Sequence, residues 1–330
     1  MVSVHTRTSP PTVHRPARGG LRGVIGRAPL TWFFVMATAL SWAAWTPYVV
    51  AETGLGLVEL NIPVLLGSTQ LVGVLPGAYL GPITAAFLVT AATDGRAGLR
   101  KWAGRLTKWR VSPRWYVAVV VSVPLVLIIT TLPLAGGDVR MPSVAVLAAY
   151  LPMLAFQMIT TGLAEEPGWR DFALPRLQPK YGPLKGTLVL GPLWGMWHLP
   201  LFLTEWGGWP DIDWVTPVVF VAGAVTVSIV MTWVFNRTGE SLPLAMLLHV
   251  SINTYVSVAA ADMFPSYDWQ HGAHTVLLIS SGAAALVILV ATRGRLGYRD
   301  PAENAAPASG AAPASGEPAA EAGGSSSVTR

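Results

Sequence analysis

The chain contains no cysteine. That absence excludes disulfides, thiolate metal sites and cysteine nucleophiles, and it leaves the redox compartment open. Charge is also scarce. Asp, Glu, Lys and Arg make up 12% of the 330 residues, about half of the ~25% usual in soluble domains. Hydrophobic residues reach 52%, with 14 Trp and 33 Gly. Such a composition suits a bilayer as solvent. The net charge of +5 then reads as basic loops at one membrane face, and no nucleic-acid partner is expected.

The first apolar stretch is expected to be a retained helix and not a signal peptide. It runs from about Leu30 to Val50, long enough to span and to be retained. Further apolar stretches lie near 65–93, 115–135, 143–164, 184–204, 215–235, 242–261 and 272–292. The second is interrupted by Pro76 and Pro82, which neighbouring helices can accommodate. The expected fold is all-α, a polytopic membrane bundle of about eight helices over residues 29–295. Residues 1–28 read as a disordered basic arm. Residues 296–330, rich in Ala, Pro, Gly and Ser with AAPASG twice, read as a disordered tail.

Orientation follows from Lys and Arg. With the N-terminus inside, 21 of the 22 basic residues fall on inner segments, and only Arg140 lies outside. The outer loops carry Glu52, Glu59, Asp138, Glu205, Asp211, Asp213, Asp262 and Asp268 instead. Both termini are expected to be cytoplasmic, and the protein to be a multi-pass plasma-membrane protein in contact with lipid.

Three places break the apolar pattern. A charge near the membrane interior costs at least ~2.5–3.5 kcal/mol, so each marks a functional candidate. The first is Glu165-Glu166-Pro167-Gly168-Trp169-Arg170, at the inner end of the fourth stretch. Adjacent carboxylates repel, so one needs a proton or a cationic partner. Arg170 is four residues after Glu166, where helical side chains meet. Glu165 points ~100° away and is left to act as a base. The cluster also reads as charges that simply end a helix. The second place is Trp194 and His198 in the fifth stretch, where a lone histidine also reads as packing or as a kink before Pro200. The third is His249 and Asn253 in the seventh, four apart on one face. Interhelical hydrogen bonding would explain that pair equally well. Together the residues form a kit for activating water and stabilising an oxyanion.

These motifs resemble those of the CPBP family of intramembrane proteases, also called the CAAX protease and bacteriocin-processing, or Abi, family. EExxxR resembles Glu165, Glu166 and Arg170. An aromatic followed four residues later by His resembles Trp194 and His198. HxxxN resembles His249 and Asn253. The resemblance covers about residues 95–260. Asp171 departs from the pattern, standing where the family often has Gly, and Trp194 stands where some members have Phe.

The resemblance implies a helical bundle whose cavity opens to the cytoplasm. It also implies a peptide-bond hydrolase acting on a peptide or membrane-protein substrate. Glu165, His198, His249 and Asn253 would be catalytic, and Glu166, Arg170 and Trp194 would support the site's shape. Zinc held by Glu165, His198 and His249 is one implied reading, since the family is often labelled metalloprotease. There is no HExxH helix, and a metal-free glutamate mechanism fits the same residues. Eukaryotic relatives trim prenylated CaaX proteins, whereas many bacterial ones serve bacteriocin maturation or immunity. A prenylated substrate is not expected for a bacterial-type chain. The competing readings are a non-catalytic adaptor or immunity protein on this fold and a proton-coupled transporter. A transporter would typically show repeated hydropathy, and none is visible.

Overall fold

The computed structural model describes residues 20–299. The chain is a multi-pass membrane protein of helices, with no named strand among the described residues. Eight helical segments are long and apolar enough to cross a bilayer. In order they are Pro29–Val50, Gln70–Thr93, Pro113–Leu134, Val144–Tyr181, Pro183–Leu203, Val215–Arg237, Leu242–Met263 and Trp269–Thr292, called spans one to eight below. A shorter helix, Gly95–Leu106, joins spans two and three.

Three sequence expectations change. The fourth apolar stretch was expected to end near residue 164. Instead the helical run continues through the two glutamates to Tyr181. Residues 21–27 were read as part of a disordered arm, but they form the helix Leu21–Arg27. The expected tail also begins later than residue 296. Leu296 is fully buried against Ile229 and Ala285, and its carbonyl accepts a hydrogen bond from Asn236 Nδ2 at 3.0 Å. The rest of the expected arm and tail, residues 1–19 and 300–330, lies outside the described residues.

Small residues let the helices approach closely, as bilayer packing favours. Gly73, Gly77 and Gly81 on span two face Tyr48, Trp45 and Ser41 on span one, where an added Cβ would collide with those side chains. Trp45 Nε1 donates to the Val74 carbonyl and Ser41 Oγ to that of Gly77, each at 2.7 Å. Span six packs against spans five and eight.

Span two comes against span four at Gly168. A Cβ there would lie 2.6 Å from Pro82 Cβ and 2.7 Å from the Pro82 carbonyl carbon and oxygen. Backbone cannot yield as a flexible side chain can. Gly168→Ala is therefore expected to lose about 1–3 kcal/mol of stability, the usual cost of overpacking. Thermal unfolding in detergent checks this, and a variant as stable as the wild type would contradict the packing argument.

Candidate functional site

Span four is not a regular α-helix where it carries the acidic motif. Pro167 has no N–H to give to the preceding turn, and residues Pro167–Ala173 are π-helical. Met158–Gly162 are π-helical as well. Such wide turns inside helices are frequently found at functional sites. The short α-helical piece between them, Leu163–Glu166, carries both glutamates.

The adjacent carboxylates face different partners. Trp194 Nε1 of span five donates to Glu165 Oε2 at 2.8 Å. The same oxygen lies 4.0 Å from His198 Nε2, while Glu165 Oε1 makes no hydrogen bond among the described residues. Glu166 turns to span seven, where His249 Nδ1 stands 2.8 Å from its Oε1. Its Oε2 lies 3.5 Å from Arg170 Nε, and both side chains are fully buried. Arg170 lies under the Trp194 ring, 4.4 Å from its centre. Its Nη2 donates to Ser228 Oγ at 3.2 Å, on span six. Trp194 thus touches all three motifs, because the His249 ring also meets it edge-on at 5.2 Å.

The two imidazoles are oriented through Nδ1. A backbone carbonyl only accepts, so His198 Nδ1–H donates to the Trp194 oxygen at 2.9 Å and leaves Nε2 free. A carboxylate likewise only accepts, so His249 Nδ1–H donates to Glu166 and again leaves Nε2. Asn253 is half-buried one turn beyond His249. Its backbone oxygen accepts from Ser257, and its amide makes no hydrogen bond among the described residues. At ~1.5 Å per residue, His249 lies about 10 Å from the start of span seven and His198 about 22 Å from the start of span five. The site is therefore set well inside the bundle.

Among the described residues, one buried group can hold a metal: Glu165, Glu166 and His249, whose ligand atoms lie within 4.8 Å of one another. This differs from the set expected from sequence. Glu166 belongs to the group, and His198 stands beside it. Two carboxylates and an imidazole are a donor set that divalent ions such as zinc accept. A ring nitrogen held by a carboxylate is the support metal-bound histidines normally have. The residues fit a metal, although Arg170 already shares Glu166.

Sequence reasoning missed several neighbours. His198 stacks on Trp206 at 5.7 Å with ring planes 15° apart, and Phe220 meets it edge-on at 5.0 Å. His274 of span eight touches the same Phe220 at 5.2 Å. The rule that flags ionisable residues in apolar spans also flags His274. Asp171 is fully buried and pairs with Arg105 Nη1 at 2.6 Å. Nothing in the spacing of those two residues announces their contact.

The sequence model of the family described as "Type II CAAX prenyl endopeptidase Rce1-like" matches residues 147–255. A protein of Methanococcus maripaludis named CAAX prenyl protease 2 is 28% identical over 108 residues, covering 32% of this chain and 39% of that protein. The chain therefore matches about two fifths of the length of this curated relative. The matched region of the family model begins near the start of span four and ends just past Asn253, so it contains all three motifs and every contact joining the glutamates to the histidines. Through that region the chain is similar to the Rce1-like CAAX prenyl endopeptidases.

Proposed function

We propose that this chain is an intramembrane endopeptidase in which Glu165 activates the water that hydrolyses a peptide bond. One observation carries the reading. Glu165 is buried, with one oxygen fixed by Trp194 and the other without a hydrogen bond among the described residues, beside an imidazole whose Nε2 makes none there either. Burying a carboxylate this way is costly, and an unused oxygen beside a free imidazole nitrogen is what proton abstraction from water requires.

Glu165 Oε1 takes a proton from water, whose other hydrogen is held by the His198 Nε2 lone pair. The water oxygen attacks the scissile carbonyl carbon. The resulting oxyanion is met by the Asn253 amide and, when the ring is doubly protonated against Glu166, by His249 Nε2–H. Glu165 then returns its proton to the amide nitrogen. The C–N bond breaks, leaving an amine and a carboxylic acid. Arg170 holds Glu166, and Trp194 holds Glu165. If zinc is bound, Glu165, Glu166 and His249 would hold it, with His198 adjacent, and it would supply Lewis acidity to the water or carbonyl.

The end of the bundle carrying residues 95–114 is taken as cytoplasmic, since the sequence reading assigns 21 of 22 basic residues to the inner segments. The substrate is then a membrane-anchored chain presented from the cytoplasmic side of the plasma membrane. The sequence reading does not expect a prenylated native substrate, but the relative's name, CAAX prenyl protease 2, makes a farnesylated CaaX peptide the first reporter to try. Purified protein in liposomes is expected to cleave it, or a cognate membrane substrate. Glu165→Ala, His198→Ala and His249→Ala should each lower the rate by about 100-fold or more. Retention of full activity by all three variants, with normal membrane insertion, would rule the assignment out. Chelation followed by metal analysis decides the zinc question.

A further inference from the structure

The helix Gly95–Leu106 touches both halves of the site from behind. Trp102 Nε1 donates to the Pro167 carbonyl at 2.9 Å, at the start of the π-helical turn after Glu166. Arg105 Nη1 donates to Asp171 at 2.6 Å in the same turn. Arg105 Nε donates at 2.8 Å to Glu240, in the loop that opens span seven. The next residues repeat the pattern. Lys108 Nζ donates to the Gly239 carbonyl, and Ser241 Oγ donates to the Lys108 carbonyl at 2.8 Å. Glu240 itself sits at φ +66°, a conformation that costs a non-glycine residue about 1–2 kcal/mol. Its ion pair with Arg105 supports that conformation.

Among the described residues, one hydrogen bond joins spans four and seven at the site, from His249 Nδ1 to Glu166 Oε1. The π-helical turn Pro167–Ala173 interrupts the α-helical run of span four just after the glutamates, so contacts from outside the span can set its register. We infer that the helix Gly95–Leu106 is a clamp, and that Arg105 and Trp102 are positioning residues that hold the Glu165–Glu166 segment in register with His249. Arg105 suits this place because one planar guanidinium can hold two carboxylates at fixed angles, which an ammonium cannot do. Burial opposes its charge, but Asp171 and Glu240 outweigh that and keep its pKa above the ordinary arginine value.

The inference rests on the proposed protease reading only for its kinetic readout, so the test has two arms. The first needs no substrate. Hydrogen exchange in reconstituted Arg105→Gln is expected to quicken about tenfold or more in residues 163–173 and 239–254, and to stay unchanged in span one. In the second arm, cleavage of the farnesylated reporter is expected to lose about 100-fold in kcat with KM unchanged, as for small misplacements of catalytic groups. Asp171→Asn should behave alike, and the double variant should be no worse than either single. Arg105→Lys should recover part of the loss. Trp102→Phe keeps the ring and serves if Arg105→Gln fails to insert. It should quicken exchange in the 163–173 segment alone. Unchanged exchange in both segments in these variants, or wild-type kcat in all of them, overturns the clamp. A wild type that cleaves nothing, with exchange still responding, counts against the protease reading instead.

Discussion

Glu165→Gln is expected to insert and fold like the wild type and to lose about a thousandfold in proteolysis. Glutamine keeps the shape and can still accept the Trp194 N–H, which now reaches Glu165 at 2.8 Å. What it loses is the ability to take a proton. General-base groups are worth about 10²–10⁴ in rate, and the upper part of that range applies because no other carboxylate is free to substitute. Glu166 is held by His249 and Arg170. The measurement is the turnover of a cleaved reporter by protein in liposomes, with unfolding temperature as the control. A rate within tenfold of the wild type would remove Glu165 from the mechanism.

Glu166→Ala should instead damage the fold. It strands Arg170, whose side chain is fully buried, and takes the acceptor from His249 Nδ1. Breaking one side of a buried ion pair costs about 3–5 kcal/mol, because a charge is left without compensation. Little folded protein is then expected in membranes. Replacing both partners together, Glu166→Gln with Arg170→Met, should restore much of the folded yield, since uncharged groups of similar volume remove the stranded charge. Activity should stay low in the double variant. Equal yields of Glu166→Ala and wild type would show that Glu166 and Arg170 do not act as a structural pair.

The two glutamates, adjacent in sequence, thus have separable expected effects. The difference comes from their partners. Glu165 looks toward span five and keeps one oxygen without a hydrogen bond among the described residues. Glu166 looks toward span seven, where its Oε1 accepts from His249 Nδ1 and its Oε2 lies 3.5 Å from the Arg170 guanidinium without a hydrogen bond among the described residues.

Much of the fold was legible in the sequence. Eight apolar stretches separated by basic and acidic loops set the number and rough limits of the spans, because hydropathy reports directly on bilayer residence. The fourth was misjudged. Glu165, Glu166 and Pro167 look like a helix end when polar groups are assumed to face water. In the structure their polarity is met inside the bundle by Trp194, His249 and Arg170, and the helix passes through as a π-helical turn.

The spacing of Glu166 and Arg170 was readable within one helix. The pairing of Glu165 with Trp194, and of Glu166 with His249, was not, because contacts between spans depend on helix rotation and tilt. The same reason hides Arg105 with Asp171, 66 positions apart, and the approach of His274 to the ring cluster around His198. Residues with one-helix signatures were found, and residues paired across helices were found only where a family motif already joined them.

The central claim is that this bundle cuts a membrane-anchored chain and needs the Glu165 carboxylate to do so. The direct measurement compares new peptide termini in membranes from cells making the wild type with those from cells making Glu165→Gln at equal levels. At least one substrate is expected to be processed with the wild type and to remain full-length with the variant. Identical sets of termini, with both proteins inserted and folded, would contradict the account.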